Sequence, residues 1–262
     1  MPPRGSGWVN KPDYKSIRKK LIKSKCIDDN TGFMILNLRS EDIFISKSDN
    51  TIMIIFQDFK QIFNVDKIFS LEKLTLTQNL GHLDLLSQVG CLTDLDLSFN
   101  KLTNIPSEIG NLINLTYLQL SFNKLTNLPS EIGNLTNLND LYLRYNELTN
   151  IPSEIGNLTN LTSLSLYYNE LISLPSEISN LTNLNYLSLY NNKLTSLQSE
   201  IGNLTNLTSL NLDCNKLTNL PSEIGNLTNL TYLSLNNNEL TNEFKVQIKS
   251  WFKNGVCLNF GY

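Results

Sequence analysis

The most constraining feature of this sequence is a 23-residue pattern that repeats from Leu92 to about Phe252. Its first clear occurrence reads LTDLDLSFNKLTNIPSEIGNLIN, and the later copies differ from it at few positions. The leading leucines recur at this fixed interval: Leu92, Leu115, Leu138, Leu161, Leu184, Leu207 and Leu230. Such a period predicts a solenoid, in which one unit cannot bury its apolar side chains alone but stacked neighbours can.

Each unit is expected to open with a short strand. In the third unit, Leu138, Leu141, Leu143 and Leu148 should point inward while Tyr142 points outward, because successive strand side chains alternate between faces. An asparagine then turns the chain, and its copies recur at Asn100, Asn123, Asn146, Asn169, Asn192, Asn215 and Asn238. A side-chain amide both donates and accepts, so we expect these copies to form a ladder that satisfies the buried bend.

The second half of each unit is predicted to be a short helical turn. In Pro152-Ser153-Glu154-Ile155-Gly156 we expect proline at the first helical position and glycine in a left-handed conformation at the end. The Ser-Glu pair is expected to complement the free N–H groups at the start of the turn.

Four segments are predicted along the chain: a flexible leader over 1–12, an N-terminal cap over 13–70, repeats over 71–242 that become regular at 92, and a C-terminal cap over 243–262. The N-terminal cap is expected to contain a basic amphipathic helix from Asp13 and strands near 33–38 and 51–56. The C-terminal cap is expected to contain an amphipathic helix and a last strand over 256–260.

Charge is distributed unevenly. Residues 1–25 carry eight Lys or Arg and one Asp, a net charge of +7, so a whole-chain charge of −3 leaves −10 on the remainder. An acidic solenoid argues against a nucleic-acid partner, since phosphate binding depends on clustered cations. The basic helix is interpreted as the solvated face of a cap, and the alternative is contact with an acidic partner or an anionic membrane surface.

The motifs of enzymes are not found. The one histidine, His82, lies in the irregular first unit, and the Ser-Glu pairs and glycines follow the repeat period. The cysteines Cys26, Cys91, Cys214 and Cys257 are too far apart in sequence for a typical zinc or disulfide motif. We therefore predict that the protein is not an enzyme and uses no metal or other cofactor.

The N-terminus does not read as a signal peptide, and no apolar run approaches the roughly 20 residues of a membrane span. These features predict a cytoplasmic protein without a membrane span. We expect it to be a monomer.

The motif LxxLxLxxNxLTxLPxEIGNLTN resembles the 23-residue class of leucine-rich repeats found in intracellular Ras-group and Scribble-like scaffolds. The resemblance implies an α/β horseshoe-shaped solenoid, with a parallel sheet on the concave face and short helical turns on the convex side, that binds other proteins. The sequence departs from the motif at Gln198 in place of proline, at Ser179 in place of glycine and at the short unit from Leu71. These departures would change the local curvature.

The outward strand and loop positions vary between units, and eight of the ten tyrosines occupy them. Tyrosine and arginine often anchor protein interfaces, so we predict a binding site made of Tyr117, Tyr142, Arg144, Tyr145, Tyr167, Tyr168, Tyr186 and Tyr190. The rings from the three central units are expected to form one patch. Alternatively, the tyrosines stack along the sheet only to cover it.

The sequence therefore predicts a non-enzymatic scaffold that binds a protein or peptide on its concave face. Two alternatives stay open. One is a recognition or regulatory module of a larger signalling enzyme or host-directed effector, and the other is a cell-surface recognition protein.

Overall fold

A computed structural model describes residues 8–10, 43–46, 52–54, 73–75, 93–252 and 255–261. Several predicted features lie outside these residues: the helix from Asp13, the strand near 33–38, His82, Cys26 and Cys91. The described part of the chain contains the regular repeats, so the predicted binding residues all lie within it.

The described strands form one 12-stranded sheet in chain order. They are β1 (Trp8–Asn10), β2 (Ile43–Ser46), β3 (Ile52–Ile54), β4 (Lys73–Thr75), β5 (Asp94–Asp96), β6 (Tyr117–Gln119), β7 (Asp140–Tyr142), β8 (Ser163–Ser165), β9 (Tyr186–Ser188), β10 (Ser209–Asn211), β11 (Tyr232–Ser234) and β12 (Cys257–Asn259). The pairs β1–β2 and β2–β3 are antiparallel. Every later pair, from β3–β4 to β11–β12, is parallel.

The sequence period sets the register of the parallel strands. Leu141 lies opposite both Leu118 and Leu164, which occupy the same position in the neighbouring repeats. Leu141 and Leu187 are both 0% exposed, whereas the residues on either side of each leucine lie on the other face of the sheet. The predicted solenoid and its inward and outward positions are confirmed.

The N-terminal strands differ from the sequence-based expectation. Trp8–Asn10 lies within the predicted flexible leader over 1–12 but pairs antiparallel with Ile43–Ser46. Tryptophan and valine favour extended backbone, which accounts for a strand at Trp8–Asn10. The strand predicted over 51–56 is present at Ile52–Ile54.

In the six units that begin at Leu92 to Leu207, the second half forms a 3-10 helix on the convex side. These helices are Ser107–Asn111, Ser130–Asn134, Ser153–Asn157, Ser176–Asn180, Ser199–Asn203 and Ser222–Asn226. Pro152 is the N-cap with an extended backbone, so the prediction of proline at the first helical position was wrong by one residue. Since proline offers no side-chain acceptor, the helix has no side-chain cap, and the Ser153 hydroxyl donates to Glu154 instead (3.2 Å).

The glycine of each turn was also misassigned. Gly133 lies inside a 3-10 helix, and of the described glycines only Gly255 and Gly261 have positive φ. A Cβ on Gly133 would lie 2.5 Å from the carbonyl oxygen of Glu154 in the next repeat. Glycine is therefore needed because neighbouring turns approach closely, and not because the backbone is left-handed.

The asparagine ladder is present as predicted. The Oδ1 atom of Asn146 accepts from the backbone N–H of Leu125 (3.0 Å), which lies in the preceding repeat. Its Nδ2 atom donates to the carbonyl oxygens of Leu120 (3.0 Å) and Leu143 (2.9 Å). One buried side chain thus satisfies backbone groups in two successive repeats and fixes the loop that follows each strand.

The C-terminal end of the described array is covered by helix α1 (Asn242–Trp251) and β12. Thr241 caps the helix, since its hydroxyl oxygen accepts from the N–H of Phe244 (3.2 Å). Ile248 is 0% exposed, and Trp251 packs against the same core. The helix therefore buries apolar surface of the last repeat that would otherwise meet water.

Candidate functional site

The predicted binding residues occupy two kinds of position. Tyr117, Tyr142 and Tyr186 belong to strands β6, β7 and β9 and lie on the exposed, concave face of the sheet. The remaining residues lie in the loops that follow the strands: Arg144, Tyr145, Tyr167, Tyr168 and Tyr190. The repeat therefore places aromatic side chains both on the sheet and beyond the C-terminal ends of its strands.

The loop positions create a continuous row of stacked rings, which we call the aromatic row: Phe99, Phe122, Tyr145 and Tyr168. The ring centroids are 4.3 Å, 4.5 Å and 4.3 Å apart in that order, and the interplanar angles are 8°, 11° and 13°. These separations follow from the repeat, because adjacent parallel strands carry equivalent residues about 4.8 Å apart. Phe99 is 63% exposed and Tyr145 is 39% exposed, so the row borders solvent.

The backbone of the aromatic row is left-handed. The φ angles are 61° at Phe99, 57° at Phe122, 54° at Tyr145 and 55° at Tyr168. Asn191 has the same conformation one repeat further on (φ 55°). Bulky residues are uncommon in the left-handed conformation, whereas asparagine adopts it more readily. The conformation therefore disfavours the aromatic residues that occupy these positions.

Two further tyrosines pack beside one end of the row. The ring of Tyr167 lies 5.8 Å from that of Tyr145 and 6.0 Å from that of Tyr168, in edge-on arrangements. Tyr190 packs edge-on against Tyr168 at 5.0 Å, and their hydroxyl oxygens are 3.2 Å apart. These contacts fix the orientation of the tyrosine hydroxyl groups at this end of the row. We call the aromatic row together with Tyr167 and Tyr190 the aromatic surface.

Arg144 lies among these rings. Its guanidinium carbon is 5.3 Å from the centroid of Phe122 and 5.5 Å from that of Tyr167, and its Nη1 atom donates to the Tyr167 hydroxyl oxygen. Cation–π attraction and this hydrogen bond hold the cation in place.

The rings do not form the single patch that was predicted. Tyr117 and Tyr142 make a separate pair on the sheet, with centroids 5.5 Å apart, and within 93–252 no ring contact joins that pair to the aromatic row. Tyr186 is 39% exposed and has no ring contact in the same range. The reason is geometric: Tyr142 and Tyr145 are three residues apart, which is roughly 10 Å of extended chain.

Burial and neighbouring groups change the acidity of three tyrosines. Burial and the carboxylate of Asp96 raise the pKa of Tyr117. Partial burial, together with Tyr168, raises the pKa of Tyr145. The hydrogen bond to Tyr168 raises the pKa of Tyr190, and burial adds to the effect. These hydroxyl groups are therefore neutral donors and acceptors at physiological pH.

Sequence reasoning missed two members of this surface, Phe99 and Phe122. They occupy the same repeat position as Tyr145 and Tyr168, so the signal was present in the sequence. The sequence-based prediction uses tyrosine and arginine as interface anchors and therefore leaves out phenylalanine at the same position.

The described residues contain no group of three or more His, Cys, Asp or Glu that could hold a metal ion. Cys214 and Cys257 are free thiols. In the same part of the chain, no helix is long and apolar enough to cross a membrane.

A repetitive parallel sheet with an asparagine ladder and short convex turns defines a leucine-rich repeat solenoid. The sequence profile of the family described as leucine-rich repeat region matches residues 37–175 and 169–249. The chain belongs to the leucine-rich repeat family. The narrower Ras-group or Scribble-like class stays a prediction.

Several solved structures are similar to this chain. A leucine-rich repeat protein of Leptospira interrogans, LIC12759, is 44% identical with a TM-score of 0.65, and the match covers 68% of this chain and 46% of that protein. The internalin InlF of Listeria monocytogenes is 26% identical with a TM-score of 0.65, over 83% of this chain and 60% of the internalin. This chain therefore spans less than two thirds of either protein.

A third similar structure is the leucine-rich repeat ectodomain of the plant membrane receptor kinase GASSHO1/SCHENGEN3 from Arabidopsis thaliana, in complex with CASPARIAN STRIP INTEGRITY FACTOR 2. It is 29% identical with a TM-score of 0.54, and the match covers 75% of this chain and 27% of that one. Among curated proteins, none matches.

Proposed function

We propose that this chain is a non-enzymatic interaction protein that binds a protein or peptide through the concave face of its sheet and the adjacent aromatic row. One observation carries the proposal: four successive repeats keep an aromatic residue in a left-handed backbone conformation. Asn191 and Asn237 occupy equivalent positions with φ of 55° and 53°, so the fold accepts a residue better suited to that conformation.

The energies favour a role beyond folding. A left-handed non-glycine residue costs on the order of 1–3 kcal/mol. Ring stacking returns about 0.5–1.5 kcal/mol per pair, so the row does not clearly stabilise the solenoid. The aromatic residues do supply a rigid, partly exposed surface, and such residues anchor protein interfaces.

The comparisons support binding as the general activity. The GASSHO1/SCHENGEN3 ectodomain was solved as a complex with CASPARIAN STRIP INTEGRITY FACTOR 2. For this chain, the partner and the use of the concave face are our proposal.

We also propose a cytoplasmic location, on the sequence argument given above. The similarity to the ectodomain of a membrane receptor kinase favours a cell-surface protein as the second candidate. Fractionation of source cells with an antibody to the repeats distinguishes the two, and the mass of the native protein tests whether the repeats belong to a larger signalling protein.

The proposed surface is tested by affinity capture with the full chain. We expect wild-type protein and Glu154→Ala to capture the same partner, and Tyr145→Ala/Tyr168→Ala to lose it. Glu154 is a matched control, since it lies in a convex 3-10 helix and alanine keeps the Cβ that packs against Gly133. Equal capture by all three proteins would show that the aromatic row is not the binding surface.

A further inference from the structure

Arg144 is held as a fixed cation at the centre of the aromatic surface. It is half-buried in the loop after β7, with the rings of Phe122 and Tyr167 at 5.3 Å and 5.5 Å from its guanidinium carbon. Its Nη1 atom donates to the Tyr167 hydroxyl oxygen. A guanidinium positioned in this way loses little further freedom when an acceptor binds.

The hydrogen-bonding capacity of this cation is largely unused. A guanidinium carries five N–H donors, and the Tyr167 oxygen is the one acceptor that Arg144 meets among the described residues. Within the same ranges no carboxylate lies at ion-pair distance from it, and its buried Nε atom has no acceptor. The Nη2 atom, which is not among the buried unpaired groups, is left for an external acceptor.

The carboxylates of Asp96 and Asp213, in contrast, already accept hydrogen bonds from the protein. Asp96 Oδ1 accepts from the backbone N–H of Ser98 (2.9 Å) and from its hydroxyl (2.6 Å). Asp213 Oδ1 accepts from the backbone N–H of Asn236 (2.6 Å). The carboxylates of Asp96 and Asp213 therefore have hydrogen-bond donors within the protein, whereas Arg144 has no carboxylate partner in the described part of the chain.

Tyr167 adds a second donor at the same place. Its hydroxyl oxygen accepts from Arg144, so its own O–H proton is directed elsewhere, and the described residues contain no acceptor for it. A guanidinium N–H and a phenol O–H are therefore available side by side. Two adjacent donors, one of them charged, suit an oxyanion better than a neutral carbonyl group.

We infer that Arg144 and Tyr167 form an oxyanion subsite that takes a carboxylate of the bound peptide, next to an apolar or aromatic side chain that packs along the aromatic row. This subsite rests on the proposed peptide-binding function and specifies the partner's chemistry. A singly charged carboxylate fits better than a dianionic phosphate, because residues 26–262 carry a net charge of −10 and Arg144 is one cation. The carboxylate is either an Asp or Glu side chain or a free C-terminus.

The test begins with selection of short random peptides on the immobilised full chain. The strongest binder is then synthesised in matched forms, with each Asp or Glu replaced by Asn or Gln, with a free or amidated C-terminus, and with a phosphoserine replacing the acidic residue. Affinities are measured by calorimetry for wild-type protein, Arg144→Gln, Arg144→Lys and Lys124→Gln. Lys124 is an exposed cation two residues after Phe122 in the sequence, so its substitution removes the same charge and leaves Arg144 and Tyr167 unchanged.

Removing one carboxylate from the peptide should weaken binding to wild-type protein about tenfold, the effect of a lost charge-assisted hydrogen bond. In Arg144→Gln the same change to the peptide should weaken binding less than about twofold, because the variant lacks the guanidinium that pairs with the carboxylate. Arg144→Lys should keep part of the preference for the carboxylate form of the peptide, and Lys124→Gln should keep all of it. Whether the side-chain or the terminal carboxylate carries the effect identifies its source.

Three outcomes would overturn the inference. Peptides that bind without preferring the carboxylate, but lose affinity in Tyr168→Ala, would remove the subsite and leave the proposed function standing. If the phosphopeptide bound more tightly than the carboxylate form, the ligand of the subsite would be a phosphate group and not a carboxylate. Failure to select any peptide whose binding depends on the aromatic row would remove both proposals. The comparison of matched peptides on wild-type protein needs no variant, so it stands even where Arg144→Gln fails to fold.

Discussion

The rings of Phe99 and Phe122 stack at 4.3 Å and 8°, although both residues have positive φ, at 61° and 57°. The repeat thus combines a backbone conformation that disfavours large side chains with a spacing that suits parallel aromatic rings. The backbone conformation lowers the free energy of unfolding, and the ring stacking raises it. Substitution of Phe99, at the exposed end of the row, separates the two contributions.

Phe99→Asn should leave the free energy of unfolding unchanged or raise it, because asparagine tolerates the left-handed conformation and this ring is 63% exposed. Phe99→Val should be less stable than Phe99→Asn by about 1 kcal/mol, since a branched Cβ is strained there. Urea unfolding of both variants checks the difference. Equal stability would show that the backbone at this position is not under strain.

Asn146→Ala should lower the free energy of unfolding by about 1–3 kcal/mol, because it leaves the buried N–H of Leu125 without its acceptor. The carbonyl oxygens of Leu120 and Leu143 lose one donor each but keep a second, from Asn123 and Asn169 respectively. Asn160→Ala is the matched control. The Asn160 amide donates to the exposed carbonyl of Thr136 (2.8 Å), which water can replace. Denaturant unfolding measures both losses. A larger loss of unfolding free energy in Asn160→Ala than in Asn146→Ala would contradict the stabilising role of the ladder.

Gly133→Ala should destabilise the array by about 1–3 kcal/mol, the usual cost of overpacking. The added Cβ would lie 2.5 Å from the backbone oxygen of Glu154, and a backbone atom cannot rotate away. Ser179→Ala, at the repeat that already carries a Cβ there, should change the melting temperature very little. A neutral Gly133→Ala would show that adjacent turns separate easily.

Alkaline pH should weaken the fold through Tyr117. Burial and Asp96 raise the pKa of its hydroxyl above the ordinary value of 10.0, so the folded state holds the proton more tightly than the unfolded chain. Stability is then fully present below that ordinary value and decreases as pH rises through the folded pKa. Phenolate absorbance of wild type against Tyr117→Phe measures the ionisation, and a difference titrating at or below the ordinary value would be inconsistent with this site.

The period in the sequence was sufficient to place the inward leucines and the asparagine ladder, because both follow from one residue type at a fixed interval. The roles of proline and glycine were harder to assign. Gly133 is compatible with a left-handed helix end or with a close approach, and one unit considered alone does not separate them. The distance to Glu154 in the next repeat decides between the two.

At the candidate site, too, some features could be predicted from the sequence and others could not. The outward positions could be predicted, but the left-handed backbone could not, since phenylalanine and tyrosine are not typical of it. Asn191 and Asn237, which share the position with Tyr145 and Tyr168, were the available indication. Without that backbone angle, the stacking of Phe99 on Phe122 and of Phe122 on Tyr145 could not be predicted. The separation of Tyr117 and Tyr142 from the row was not predicted either.

The aromatic surface is the proposed binding site, and its most direct test is the affinity of the captured partner for Tyr168→Ala and Glu154→Ala. Tyr168 contacts Tyr145, Tyr167 and Tyr190, so its removal should weaken binding by on the order of 2 kcal/mol, the size of a hot-spot truncation. Glu154→Ala should bind like wild type, and both variants should keep the wild-type far-ultraviolet circular dichroism. Binding kept by Tyr168→Ala and lost by Glu154→Ala would place the site on the convex side and contradict the account.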